Sequence, residues 1–234
     1  MSELNYDDIV RILDQKGFTV SPKAAVRDYD KYLDQSEFRY ILWLDRIFQK
    51  IQRVPGHIVE IGVARGRNAL IFGHLIKMNG EDSIRNYYGF DTFEGYTEED
   101  LRRSPHLSAD EWKQTTFDFV RDRIHLQGLS NSCHLFKGDI KEVAQDFINS
   151  KQAKFNPGKM KVALLYIDCN AYLPAKFSMD FFKDYMSPGG IVCIDEKLQG
   201  GEIEALMEFC SENGLIAEKD PGPFGMPAYT VFRP

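Results

Sequence analysis

HIVEIGVARGRNALIFGHLIKM, residues 57–78, holds three signals in succession. His57–Val63 is a short β-rich run, Gly62 and Gly66 punctuate a turn, and Asn68–Met78 reads as a helix. A strand feeding a glycine turn and then a helix is the opening unit of an α/β sheet protein. Upstream, Ile41, Leu44, Ile47, Phe48 and Ile51 recur at the spacing of one helix face, and Val54-Pro55-Gly56 ends that helix. Downstream, YYGFD (87–91) is a second strand, CHLFKGD (133–139) a weak one, VALLYID (162–168) the most apolar one, and IVCID (191–195) another. Helices are expected near 118–127, 140–149 and 201–213, and AYTVFRP (228–234) closes the chain as a strand. Phe177, Phe181 and Tyr185 stand at four-residue steps and read as the core face of a further helix, which SPGG (187–190) breaks before IVCID. Residues 94–118 are polar and irregular, in the manner of a lid or substrate-binding insertion. Strands alternating with helices predict a Rossmann-like α/β fold: a mostly parallel sheet with helices on both faces, in one domain over 1–234, with a helical N-terminal extension over 1–55 and a lid over 94–118.

The composition of the 234 residues is that of a soluble globular chain, 43% hydrophobic and 27% charged. No run reaches the roughly 18 apolar residues of a membrane span, so a membrane protein is not expected. The opening MSELNYDDIV has neither the basic start nor the apolar stretch of a secretory signal. A net charge of −6 argues against nucleic acid as the main partner, because phosphate binding draws on clustered Lys and Arg. Cys133, Cys169, Cys193 and Cys210 form no C-x-x-C pair, so reduced thiols in a cytoplasmic protein are expected, with Cys169 and Cys193 as small buried hydrophobes.

In a parallel sheet, ligands bind beyond the carboxyl ends of the strands, where strand order reverses. Those ends carry Glu60 with the glycine turn, Asp91, Asp139, Asp168 and Asp195. A dinucleotide-binding G-x-G-x-x-G is not met, since Ala64 and Arg67 stand where its second and third glycines belong. The form Glu60-x-Gly62-x-x-x-Gly66 resembles instead the first motif of the class I S-adenosylmethionine methyltransferases. The resemblance implies that Glu60, Gly62 and Gly66 form the cofactor turn, and that Asp91, with Thr92 beside it, holds the ribose hydroxyls. It further implies that Asp139 flanks the adenine and that Asp168 also faces the cofactor. A carboxylate accepting two vicinal hydroxyls is sound hydrogen-bond chemistry for the ribose task.

Four segments in order, VPGHIVEIGVARG, GFDTFEG, YIDCNAY with Pro174 and Lys176, and SPGGIVCIDE, resemble the macrocin, mycinamicin and novobiocin family of sugar O-methyltransferases over about residues 40–215. That resemblance implies a metal held by Asp168, Asp195 and Glu196, and a small hydroxylated acceptor, a sugar or polyol part of a natural product or glycan. Clustered carboxylates repel unless a cation sits among them, and an all-oxygen set suits Mg²⁺ rather than zinc. A metal-bound hydroxyl would lose its proton more readily during attack on the sulfonium methyl. The chain departs from the family at Asn170, where a second acid is common. Asparagine takes no proton, but it can hydrogen-bond the substrate or a metal-bound water, so Asp168 and Asn170 are the residues expected at the reacting hydroxyl, and the proton acceptor stays open between metal with solvent, Glu196 and a histidine. The departure keeps N-methylation, a metal-independent transfer and a cofactor-binding protein without catalysis open beside O-methylation. A homo-oligomer is left open too.

Other residues default to structural readings. His57, His74, His106, His125 and His134 form no metal-spaced pair, although His106 lies in the insertion. Tyr96 and Trp112 read equally as walls of the acceptor pocket and as lid packing. Glu98-Glu99-Asp100 reads as a solvated loop face, and no G-x-S-x-G elbow points to a serine hydrolase.

Overall fold

The computed structural model describes residue 15 and residues 35–113, 116–150, 160–195, 200–219 and 228–232. In chain order the elements are α1 (Gln35–Ile51), β1 (His57–Ile61), α2 (Arg67–Met78), β2 (Tyr87–Asp91), α3 (Glu98–Arg103), α4 (Phe117–Leu126), β3 (Cys133–Lys137) and α5 (Ile140–Asn149). They continue with β4 (Val162–Ile167), α6 (Tyr172–Phe182) and its 3₁₀ extension Lys183–Tyr185, β5 (Met186–Ile194), α7 (Gly201–Asn213), β6 (Glu218–Lys219) and β7 (Ala228–Val231). The seven strands among the described residues form one sheet in the order β3-β2-β1-β4-β5-β7-β6. The first five are mutually parallel, and β7 and β6 close the edge antiparallel. The connections run from β1 outward to β2 and β3 on one side and from β4 to β5 on the other, so the order reverses between β1 and β4. A crevice opens at such a point.

Alternation along the strands divides the interior into two layers. Ile58, Tyr87, Leu164, Tyr166, Ile191 and Cys193 face α1, α2 and α4. Val59, Ile61, Tyr88, Phe90, Leu165, Ile167, Val192 and Ile194 face α5, α6 and α7. Covered on both sides, β1 and β4 are buried along their whole length, which is why they read as continuous apolar runs.

Helix α1 buries Tyr40, Trp43, Leu44, Ile47, Phe48 and Ile51; Ile41 sits on the shoulder of that face and is only half-buried. The last carbonyls of α1 and the following turn are capped from a distance. The guanidinium of Arg85, 3% exposed, donates to Ile51 O (3.1 Å), Val54 O (3.0 Å) and Gly56 O (2.7 Å) and pairs with Glu81. These bonds satisfy carbonyls that a helix end leaves open and orient the chain into β1.

Four expectations are corrected. SPGG does not precede β5 but lies within it, as the irregularity where the register against β4 slips between Val162 and Leu164. Phe177, Phe181 and Tyr185 are a half-buried rim, because the inward face of α6 is Ala175, Ser178, Met179 and Phe182, one residue further round the helix. The insertion over 94–118 contains the helix α3, started by a Thr97–Asp100 capping box. The two-residue β6 was not anticipated. Most of the expected N-terminal extension before residue 35 lies outside the described residues. Among those described, no helix is long and apolar enough to cross a membrane.

Candidate active site

The turn after β1 is held by close packing. Gly62 has φ 90°, and a Cβ there would stand 2.0 Å from the carbonyl oxygen of Asp168 at the end of β4. Gly66, φ 77°, is the N-cap of α2, where a Cβ would meet a Val120 methyl at 2.5 Å. Only glycine combines that backbone with that approach. From β2, the Asp91 carboxylate reaches under the turn. Its Oδ2 accepts from Val63 N and Ala64 N, both at 2.8 Å, and its Oδ1 accepts from Phe93 N at 2.6 Å. Asp91 is therefore the anchor of the glycine turn as well as the candidate ribose ligand.

Above this turn lies a cleft of about 370 Å³. Gly62, Val63, Ala64, Arg65, Asp91, Thr92, Asp139, Asp168, Asn170 and Asp195 line it, together with Arg67 and Asn68 from the start of α2. Ala64, Phe93, Trp112 and Asn170 are the described non-glycine residues with left-handed backbone; three of them line the cleft and the fourth is held by Asp91. Strained backbone of this kind gathers at functional sites.

Asp168 and Asp195 follow the ends of the neighbouring strands β4 and β5 and feel each other's charge. Burial raises the proton affinity of both, and at Asp195 the charges of Asp168 and Glu202 add to the rise; the Arg67 guanidinium opposes it in each. Asn68 donates to Asp168 Oδ2 (3.2 Å) and to Glu60 Oε1 (2.7 Å), and the Tyr40 hydroxyl stands 2.9 Å from Asn68 Oδ1 and 3.4 Å from Asp195 Oδ2. Arg67 stacks 3.8 Å above the Tyr40 ring and pairs with Glu37. Helix α1 thus forms one wall of the acid site.

Glu60 has no exposed surface and does not line the cleft; it sits behind the turn, accepting from Asn68 and from the Tyr87 hydroxyl. Burial pushes its carboxyl up to about 8 against the pull of those two donors. Gly66 likewise shapes the turn without lining the cleft. Glu196 lies outside the described residues. Among the described residues, no group of three or more His, Cys, Asp or Glu side chains is arranged to hold a metal ion.

Several participants were missed in the sequence. Glu202, at the start of α7 and fully buried, accepts from the backbone N–H groups of Cys169 and Asn170, which holds Asn170 in its left-handed turn at φ 57°. Cys169 lines the cleft and is not a core residue. Asp100 is 6% exposed and faces the cleft, which corrects the solvated reading of that acidic run for this residue, while Glu98 and Glu99 are exposed. Tyr96 and Trp112 both line the cleft; His106 is exposed and does not. Tyr40 was missed although it stands four residues before Leu44, a spacing that could have found it, whereas nothing local marks Glu202 or Asp100.

Comparison with known proteins agrees with this fold. The structure is similar to CalS11, a calicheamicin methyltransferase, with a TM-score of 0.80 and 21% identity over 97% of this chain and 91% of that one. A second, apo structure of CalS11, described as a TDP-rhamnose 3′-O-methyltransferase, superposes with a TM-score of 0.71 at 21% identity, covering 97% and 92%. The O-methyltransferase NovP follows with a TM-score of 0.67 and 17% identity over 100% of both chains. The Podospora anserina methyltransferase PaMTH1, solved with S-adenosylhomocysteine bound, gives a TM-score of 0.51 at 14% identity over 100% of this chain and 97% of that one. No curated protein matches the chain in sequence. The family model described as "Methyltransferase domain" matches residues 59–196, from β1 past the end of β5, and the chain therefore belongs to the methyltransferase-domain family and to its S-adenosylmethionine-dependent class I fold.

Proposed function

We propose that this protein transfers a methyl group from S-adenosylmethionine to a hydroxyl on a sugar or polyol part of a small molecule. One observation carries the reading: a single cleft at the β1/β4 reversal unites the Gly62 turn and Asp91 with the Asp168–Asp195 pair. The first two suit the cofactor. Its amino-acid end needs close backbone, which the absent Cβ at Gly62 permits, and its ribose needs an acceptor, for which Asp91 has capacity left after three N–H donors, a carboxylate offering about four lone-pair sites. The carboxyl pair suits the acceptor. That CalS11 and NovP are O-methyltransferases, and that CalS11 is described as acting on TDP-rhamnose, supports a hydroxyl of a sugar.

In the reaction the C–S bond to the methyl breaks as a C–O bond forms, S-adenosylhomocysteine leaves, and the hydroxyl gives up its proton. Alignment of oxygen, carbon and sulfur is the main task of the protein. Tyr96, Trp112 and Asn170 line the cleft where they can orient the acceptor. Asn170 cannot take the proton, and at the ends of β4 and β5 the carboxyls of Asp168 and Asp195 are the groups able to receive it. Two adjoining half-buried carboxyls also fit a hard dication, with Glu196 as the expected third oxygen donor. When bound, Mg²⁺ would stabilise the alkoxide as it forms. A metal-independent transfer in the same cleft is the second reading, favoured by neutral Asn170 and by the Arg67 charge already set against the acid pair.

The test is incubation with S-adenosylmethionine and a panel of nucleotide-activated sugars, glycosides and amines, with and without chelator. The expected result is a product heavier by one CH₂ from a hydroxylated acceptor, together with S-adenosylhomocysteine. Methylation of amines alone would refute the hydroxyl reading, and full turnover in chelator by metal-free protein would select the second.

A further inference from the structure

Among the described residues, Asp100 has one carboxylate oxygen in use and one without a partner. Its Oδ2 accepts from Thr97 N (3.1 Å) and Thr97 Oγ1 (2.6 Å), closing the capping box of α3. Its Oδ1 is buried with no hydrogen-bond partner among the described residues, and the residue lines the cleft. An ionised oxygen out of water without a donor is costly, so its placement points to a ligand that brings one.

The position of α3 says which part of the ligand. Helix α3 is tied to both rims of the cleft. Glu99 pairs with Lys141 (2.7 Å), which also lies 3.4 Å from Asp139 Oδ2, while Arg103 pairs with Glu204 (2.6 Å) and stacks 4.3 Å above the Tyr172 ring. Asp100, between these two ties, is held over the cleft, with the Glu99–Lys141 pair on its β3 side. The sheet order β1-β2-β3 sets the sites out in a line: the Gly62 turn at the end of β1, Asp91 at the end of β2, and Gly138-Asp139-Ile140 after β3. A cofactor with its amino-acid end at the first and its ribose at the second lays its base at the third. Asp139 is already occupied there: Oδ1 caps α5 by accepting from Lys141 N (3.0 Å), and Oδ2 faces the Lys141 ammonium. Of the polar groups on an adenine ring, the nitrogens N1, N3 and N7 are acceptors that a carboxylate repels, and the exocyclic 6-amino group is the donor.

We infer that Asp100, on helix α3, receives the 6-amino group of the cofactor and so takes part in recognition of the base. The inference rests on S-adenosylmethionine as the cofactor.

The test is calorimetric titration of the full chain with S-adenosylhomocysteine and with S-inosylhomocysteine, in which a 6-oxo group replaces the amine. The wild type should prefer the adenosyl compound by about tenfold or more, the scale of a hydrogen bond to a charged group. Asp100→Asn, which can donate to a 6-oxo group, should bring the ratio near one or invert it. Thr97→Ala breaks the same capping box without touching Oδ1; it should weaken both ligands alike and keep the ratio, separating recognition from a loosened helix. An unchanged ratio in Asp100→Asn would overturn the inference, as would a ratio lost in Asp139→Asn and kept in Asp100→Asn. Failure of the wild type to bind either compound would instead overturn the cofactor reading beneath it.

Discussion

Asp91→Asn should disable the cofactor turn from within, and the size of the effect follows from the contacts. The carboxylate takes three backbone N–H donors, from Val63 and Ala64 at 2.8 Å and Phe93 at 2.6 Å. Hydrogen bonds to a charged group contribute about 1.5–3 kcal/mol each and neutral ones about 0.5–1.5. The amide keeps its shape but loses the charge, and its NH₂ must face either the two turn amides or that of Phe93, donor against donor. Losing about 1 kcal/mol in each of three bonds gives about 3 kcal/mol, before any ribose contact is counted. That free energy must emerge in one of two readouts. If the turn stays ordered without cofactor, the melting temperature falls by about 6–12 °C, at about 2–4 °C per kcal/mol for a chain of this size. If the turn becomes disordered, the cost moves to binding, and affinity for S-adenosylhomocysteine by calorimetry falls on the order of a hundredfold. Affinity within threefold of wild type together with a melting temperature within about 2 °C would refute the anchoring role of Asp91.

Four further outcomes follow from the same contacts. Gly62→Ala places a methyl 2.0 Å from a backbone oxygen at φ 90°, so it should abolish cofactor binding and lower the melting temperature sharply, read by calorimetry and a thermal melt. The Glu60 carboxyl, raised to about 8 when folded, stabilises the fold fully below its unfolded value near 4.5; this contribution of up to about 5 kcal/mol is lost as pH rises toward 8, so Glu60→Gln should flatten that slope in denaturant titrations. His57 has the opposite sign. Burial and the Arg85 charge lower it from 6.5 to about 4, and its Nδ1 accepts from Asn86 N (3.0 Å), so stability is kept above pH 6.5 and falls by about 3 kcal/mol toward pH 4, a loss absent in His57→Gln. Asp195→Ala should cut methyl transfer by about a thousandfold while affinity for S-adenosylhomocysteine stays within about fivefold; equal loss of both would place Asp195 in cofactor binding rather than in the reaction.

The features legible in the chain were those with local causes. The β1 strand, its glycine turn and α2 could be read because a left-handed turn demands glycine, because strands buried on both faces are continuously apolar, and because helix spacing repeats within a dozen residues. The acids Asp91, Asp139, Asp168 and Asp195 could be picked out because strand ends in parallel sheets are where ligands bind. SPGG and the Phe177-Phe181-Tyr185 row misled because local pattern does not say which neighbour an element meets. Proline and glycine end a helix or kink a strand equally well, and the orientation of α6 is decided by α7 and the sheet.

The sequence alone determined the alternation of strands and helices, the turn at Gly62–Gly66, and an acid at the end of nearly every parallel strand, since these follow from backbone sterics and from hydrophobic periodicity over short stretches. The tertiary structure decided which of those acids share a cleft. Strand order places β1 between β2 and β4 and brings Asp91 and Asp168 together across a separation no spacing rule reports. It decided that Glu202 shapes the turn at Asn170, 32 residues away, and that Tyr40 meets Asp195 across 155. It also decided that Asp100, alone in a run of three acids, is turned inward. Those are properties of packing, because burial and charge proximity arise only when distant segments close around the same space.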